Sequence, residues 1–223
     1  KNNVRHWFTN NNNFTIPYKR SDGFIEAYKS QFSNDKENDI CRRKSDKEYK
    51  DNCVYSKPSG KFQQGHLPEK IILDDLFGFF IGAYLSEGHS TKYQVLISNN
   101  DDDFINKIIQ FVEKYKFGYH IDDVTKNGNR SRTLRIHSHV LAQLIINSIG
   151  KTSGEKRLPS ELLSANEEFL KGVIDGYISG DGCVNKYNGI DVCSISKGLL
   201  YGLVRNRLSH RKELEKKVKE TIE

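Results

Sequence analysis

The first 70 positions are polar, rich in Asn, Lys, Ser and Asp, with scattered aromatics such as Trp7, Phe8, Phe14, Tyr18 and Phe24. That pattern predicts an irregular, partly ordered arm, with one short helix around "DGFIEAYKSQF" (22–32). From Ile71 onward the chain becomes periodic. "IILDDLFGFFIGAYLSEG" (71–88) is a helix-length apolar run, and "KYQVLIS" (92–98) alternates as a strand does. In "DDDFINKIIQFVEKY" (101–115) acids come first, and Phe104, Ile105, Ile108, Ile109, Val112 and Tyr115 then recur at helical spacing. "FGYHIDDVTKNGNRSRTLRIHS" (117–138) predicts a hairpin turning at Asn127-Gly128, and "SHVLAQLIINSIG" (138–150) a second amphipathic helix. The next apolar helix, "FLKGVIDGYISGDGCV" (169–184), carries glycines at 172, 176 and 180. Each glycine inside a helix costs about 1 kcal/mol relative to alanine, so three of them call for a packing reason.

An internal repeat supplies one. "LFGFFIGAYLSEG" (76–88) overlies "LKGVIDGYISGDG" (170–182) at an offset of 181 − 87 = 94 residues. The overlay pairs Gly78 with Gly172, Gly82 with Gly176, Glu87 with Asp181 and Gly88 with Gly182, and sets Ser86 opposite Gly180. Small residues four apart let two helix backbones approach closely. Helices packed through those glycines in pseudo-twofold fashion bring Glu87 and Asp181 out together at one end. Two neighbouring carboxylates need a positive occupant between them, and oxygen ligands suit a hard divalent cation of the Mg²⁺ kind. Such a site can activate water for phosphodiester hydrolysis. Exposed helix-end acids followed by a simple turn would give the same local sequence.

The two motifs resemble the paired dodecapeptides of the LAGLIDADG homing endonucleases, in the two-motif single-chain form found free-standing or inside inteins. A third piece, "GEKRLPSEL" (154–162), resembles the Lys-x-hydrophobic-Pro segment that precedes the second motif in intein endonucleases. The resemblance covers about residues 71–205 and implies an α+β fold of two pseudo-twofold αββαββα halves. Its divisions are a polar arm over 1–70, a first half over 71–165 and a second half over 166–223. It implies a Mg²⁺- or Mn²⁺-dependent DNA endonuclease acting as a monomer on a double-stranded target. Glu87 and Asp181 would be the metal ligands, assisted by main chain near Gly88 and Gly182. Lys156 would be the active-site lysine, positioning water or offsetting charge on phosphate. The alternative within the same fold is a DNA- or RNA-binding descendant, a maturase or transcription regulator, that has lost cleavage. The two acids retained together with Lys156 favour the nuclease.

In that fold a curved sheet reads DNA, so strand alternation selects the readers. Val95, Ile97, Leu134 and Ile136 point toward the helices, leaving Lys92, Gln94, Thr133, Arg135 and His137 on the opposite face. The hairpin tip adds Lys126, Asn127, Asn129, Arg130 and Arg132, all of types that read base edges or hold phosphate. Asp122 and Asp123 disfavour phosphate, so part of the hairpin is expected to face away.

Composition narrows the picture. Only 36% of residues are hydrophobic and 29% are charged, and the net charge of +6 makes a polyanion the first partner to consider. The cysteines at 41, 53, 183 and 193 form no CxxC pair, which points to reduced intracellular thiols. No segment has the length of a membrane span, so an intracellular protein without membrane contact is expected. The second half looks short, since after Asp181 only 223 − 181 = 42 residues remain. "VCSISKGLLYGLV" matches a strand and the helix that follows it, while "RNRLSHRKELEKKVKETIE" predicts a charged helix with an apolar stripe at Leu214, Val218 and Ile222. A genuinely reduced half, a shortened chain and a sequence joined across missing residues all account for this. The first of them implies weakened DNA binding and cleavage of a single strand. Lys1 and Glu223 are not the terminal residues that protein splicing needs.

Overall fold

The structure, a computed structural model, describes residues 18–21, 24–27, 47–50, 53–56, 66–68, 70–126, 128–163, 165–184, 190–191, 194, 196 and 199. Trp7, Phe8, Phe14, Asn127 and the charged helix predicted after Val204 lie outside them.

The stretch read as an irregular arm contributes strands. β1 (Tyr18–Ser21) pairs with β2 (Phe24–Ala27), and β2 pairs in turn with β6 (Lys70–Ile72). β3 (Lys47–Lys50), β4 (Cys53–Ser56) and β5 (His66–Pro68) form a second three-stranded sheet. The short helix predicted over 22–32 is thus a strand where it is described, at Phe24–Ala27. The helix predicted to start at Ile71 starts at Asp75. Ile71 and Ile72 are β-branched and find a partner strand in β2, a non-local pairing that overrides the local helical pattern.

α1 (Asp75–Glu87) opens where the Asp74 carboxylate accepts from the Phe77 amide at 2.9 Å, a cap that contributes about 1 kcal/mol. After it come β7 (Gly88–Ser90), β8 (Gln94–Ser98), α2 (Asp102–Lys114), β9 (Gly118–Lys126), β10 (Asn129–His137) and α3 (His139–Ser148). A short α4 (Ser160–Leu163) leads to α5 (Glu167–Asp181), then to the paired strands β11 (Cys183–Val184) and β12 (Ile190–Asp191). The architecture is α+β: β7, β8, β10 and β9 form a four-stranded antiparallel sheet in that order.

Period-two alternation divides this sheet. Val95, Ile97, Leu134 and Ile136 are fully buried on the helix side and join Phe77, Phe80, Phe111 and Phe169 in one core. Phe80 stacks on Phe111 with centroids 4.5 Å apart, which fastens α1 to α2. The core lies between α1, α2, α3, α5 and one sheet face, and leaves the other face open. Cys183 carries a free, exposed thiol. Among the described residues no helix is long and apolar enough to cross a membrane.

Candidate active site and nucleic-acid interface

α1 and α5 pack through the glycines of the repeat. A Cβ at Gly78 would overlap the Phe169 carbonyl oxygen, and one at Gly172 would overlap that of Asp75. One turn on, Gly82 lies against the Val173 carbonyl and Gly176 against that of Phe79. Asp75 and Phe79 stand in the same 94-residue relation to Phe169 and Val173 as the glycines do to one another, so the contacts are twofold-related. The helix ends match as well: the Gly88 amide donates to Tyr84 O and the Gly182 amide to Ile178 O, with φ, ψ of −81°, 151° and −82°, 144°.

Both acids therefore leave equivalent helix ends. Gly180 fits against Ser86, and a Cβ there would stand 3.1 Å from Glu87 Cγ. Burial pushes the Glu87 carboxyl above its ordinary value, the Asp181 carboxylate pushes it further, and Lys156 opposes both. Burial also raises Asp181, again against the pull of Lys156. The three side chains thus share one electrostatic site.

Lys156 reaches this site from the loop between α3 and α4. Gly150 turns the chain with φ +110°, where a Cβ would meet the Glu155 carbonyl. The Tyr84 hydroxyl donates to Gly150 O at 2.8 Å, and burial pushes its own pKa up to about 12. The Arg157 amide returns the loop to Ile149 O at 2.8 Å. Lys156, only 4% exposed, then lies with Nζ 5.2 Å from the centre of the Tyr84 ring. Nζ donates to Leu85 O at 3.1 Å and to Ser86 O at 3.5 Å. Burial pulls the Lys156 pKa down, while Asp181 and Glu87 hold it up. Among the described residues no three His, Cys, Asp or Glu side chains gather as a metal cluster.

The sheet sorts the residues predicted to read DNA. Gln94, Arg135 and His137 occupy the open face, with Gln94 Nε2 3.0 Å from His137 Nδ1. Lys126 and Asn129 lie opposite one another at the hairpin end and are exposed. Lys92, also exposed, precedes β8 and lies over the Tyr93 ring. Arg130 and Arg132 fall on the helix side of β10, in phase with Leu134 and Ile136. Arg130 holds Asp123 with N···O distances of 2.7–3.2 Å, and Arg132 pairs with Asp102 at the start of α2. The hairpin turns Asp123 away from the open face, as expected for part of it, but leaves Asp122 there, bonded to Arg135.

Comparison with known proteins adds a distribution. The chain is 40% identical over 151 residues to the DNA-directed RNA polymerase subunit Rpo1C of Methanocaldococcus jannaschii, a match covering 67% of this chain and 18% of that protein. It is 31% identical over 146 residues to the ATP-dependent DNA helicase Hel308 of Thermococcus kodakarensis, covering 61% and 13%. With an iron-sulfur cluster assembly SufBD family protein of Mycobacterium tuberculosis it shares 25% identity over 147 residues, covering 62% and 16%. The chain thus spans less than a fifth of the length of these curated relatives. No family model matches it. Among solved structures, a mesophilic variant of the homing endonuclease I-DmoI is similar at 16% identity and a TM-score of 0.44, covering 60% of this chain and 75% of that one. I-DmoI in complex with DNA and Mn gives the same identity and TM-score over 60% and 76%.

Two residues of the site escape sequence reading. Ser196 is 6% exposed; its hydroxyl donates to the Lys156 carbonyl at 2.6 Å and accepts from the Leu199 amide at 3.2 Å. Tyr84 pins the lysine loop. A Ser three residues before an apolar run is a helix-cap signal, but nothing in the sequence points that cap at Lys156.

Proposed function

We propose that this chain is the endonuclease of a mobile intervening sequence, of the LAGLIDADG type, and that it hydrolyses phosphodiester bonds of double-stranded DNA with a divalent metal. The observation that carries the reading is the glycine-packed helix pair that ends in Glu87 and Asp181 with the Lys156 ammonium beside them. A pure binding protein gains nothing from two carboxylates directed toward phosphate. The relatives support the mobile part. An RNA polymerase component, a DNA helicase and an iron-sulfur cluster assembly protein carry names of different functions, yet each matches this chain over less than a fifth of its own length. Each match covers more than half of this chain, so any two overlap within it. An element inserted independently into unrelated genes is distributed in this way.

The donor set fits a hard cation. Glu87 and Asp181 offer oxygen alone, both are raised by burial, and a bound cation relieves that cost. Glu87 and Asp181, with main chain near Gly88 and Gly182, would hold a Mg²⁺ or Mn²⁺ ion, which would supply Lewis acidity that lowers the pKa of water. The chain's own residues do the rest. The glycine interface holds the two carboxylates in fixed relation, and the Leu85 and Ser86 carbonyls orient Lys156 Nζ. With its pKa pulled down by burial, Lys156 is suited to take a proton from water or to offset charge on phosphate.

The test is a plasmid library with random inserts, incubated with the chain and Mg²⁺ and sequenced for linearised members. Wild type linearises one family of inserts; Glu87→Gln and Asp181→Asn do not, yet bind the same inserts without Mg²⁺. Equal cutting by both variants overturns the active-site assignment. Binding without cutting by wild type converts the reading to the cleavage-inactive one.

A further inference from the structure

The three arginines of β10 divide by face. Arg130 and Arg132 lie on the helix side and spend their guanidinium groups on Asp123 and Asp102. Arg135 lies on the open face, on an interior strand of the sheet, and Asp122 accepts from its Nε. Its two terminal nitrogens make no hydrogen bond among the described residues, and its side chain is 39% exposed. Its cross-strand neighbours are His120 on β9 and Leu96 on β8, neither an anion. Asp122 is the one acid on this face of the β9–β10 ribbon, against Lys126, Arg135, His120 and His137. Asp122 Oδ2 accepts from Arg135 while its Oδ1 lies 3.3 Å from His120 Nε2, so the acid is held between these two neighbours, and Lys126 and Arg135 leave the face with a positive balance.

From this arrangement, and resting on the DNA reading above, we infer that Arg135 reads a guanine in the major groove of the target, with Asp122 as its positioning residue. A guanidinium fixed at Nε presents its two terminal N–H groups as a fork, which matches O6 and N7 of guanine and no other base edge so well. The β9–β10 ribbon, with nine residues in each strand, is about 30 Å long, and the major groove admits a two-stranded ribbon. Leaving Nε tied to Asp122 also removes rotamer freedom that the free side chain would lose on binding. Arg130 and Arg132 contribute no base reading, because their charges are neutralised on the far side.

The experiment is enrichment of a random-core duplex DNA library by the whole chain in Ca²⁺ buffer, with sequencing of the bound fraction. Wild type enriches a site with a guanine at one defined position. Arg135→Ala loses about tenfold or more of the preference at that position and keeps the rest of the site. Asp122→Ala relaxes the same position while total affinity is kept or rises, since an acid has left the interface. Arg132→Ala leaves the base preferences unchanged. A wild-type site that Arg135→Ala and Asp122→Ala leave untouched, or weaken equally at all positions, overturns the inference alone. Enrichment of no sequence by wild type overturns the DNA reading and the inference with it.

Discussion

Lys156 Nζ donates to the Leu85 carbonyl at 3.1 Å, a bond between residues 71 positions apart in sequence. That carbonyl belongs to the last turn of α1, where a helix runs out of internal donors and carries its negative pole. α1 has no basic residue of its own in that turn, so Lys156 supplies the missing cation from another segment. The contact fixes Nζ at the base of the acid pair. Lys156→Ala is expected to slow single-turnover cleavage about 100-fold or more with DNA affinity kept. Lys156→Arg should not restore the rate, because a guanidinium neither fits the site of an ammonium nor gives up a proton at working pH. Full activity in the arginine variant would remove proton transfer from the role of this residue.

Ser196 acts through Lys156, by its hydrogen bond to the lysine carbonyl. Ser196→Ala should lower the cleavage rate about tenfold, the worth of one buried hydrogen bond, at unchanged DNA affinity. It should also move the pH–rate profile, since the lysine it positions is a titrating group. Ser196→Thr keeps the hydroxyl and is expected to restore both. A variant that merely lowers the melting temperature, with rate and profile intact at low temperature, would reduce Ser196 to a helix cap.

Helix propensity favours alanine over glycine by about 1 kcal/mol, so glycine-to-alanine changes on an open helix stabilise. At Gly78, Gly82, Gly172 and Gly176 the opposite is expected, because each added Cβ meets backbone of the facing helix. Overpacking of this kind costs about 1–3 kcal/mol, and each kilocalorie lowers the melting temperature by about 2–4 °C in a chain of this size. Gly154→Ala, with nothing within 4 Å of the new Cβ, serves as the neutral control. A rise in melting temperature for Gly82→Ala would contradict the close helix approach.

Arg135 holds the Asp122 carboxyl below its ordinary 3.8, and Arg130 does the same for Asp123. A depressed pKa means that the folded state binds the proton more weakly than the unfolded state. The stabilisation is therefore fully present above about pH 4, at the ordinary aspartate value, and is lost as pH falls through the depressed values. In thermal melts the gap between wild type and Asp122→Asn with Asp123→Asn should be constant from neutral pH down to about pH 5, then close in more acid solution. A gap that widens with acid would reverse the sign and exclude these ion pairs as its source.

Divalent cations should bind the folded chain and not the unfolded one. At about a hundred times the dissociation constant, Mg²⁺ is expected to raise the wild-type melting temperature by about 5 °C. The double variant Glu87→Gln with Asp181→Asn should show no such rise. An equal rise in both would place the ion elsewhere.

The helix pair and its acids are legible because the repeat states them twice: Gly78 gains meaning only beside Gly172. The core face of the sheet is legible from Val95, Ile97, Leu134 and Ile136, since alternation survives without knowledge of the partner strand. Arg130 and Arg132 resist the same reading. The Asn-Gly signal before them suggests residues of a turn, whereas β10 runs to Asn129 and carries the period of two through both of them. The strands before Lys70 are not legible, because β2 is held by β6 across more than forty residues and its own sequence has weak preference. Ser196 is hidden for the same cause, since its hydroxyl bonds a backbone carbonyl 40 residues away.

The twofold contacts of α1 and α5 also set when the site can exist. Glu87 is made 94 residues ahead of Asp181, as 181 − 87 shows, and no local interaction joins them. A ribosome that has released residues up to Ala165 has produced a complete first sheet and a single acid. The second carboxylate arrives only with the helix that docks on Gly78 and Gly82, so the proposed acid pair cannot form before α5 has been made.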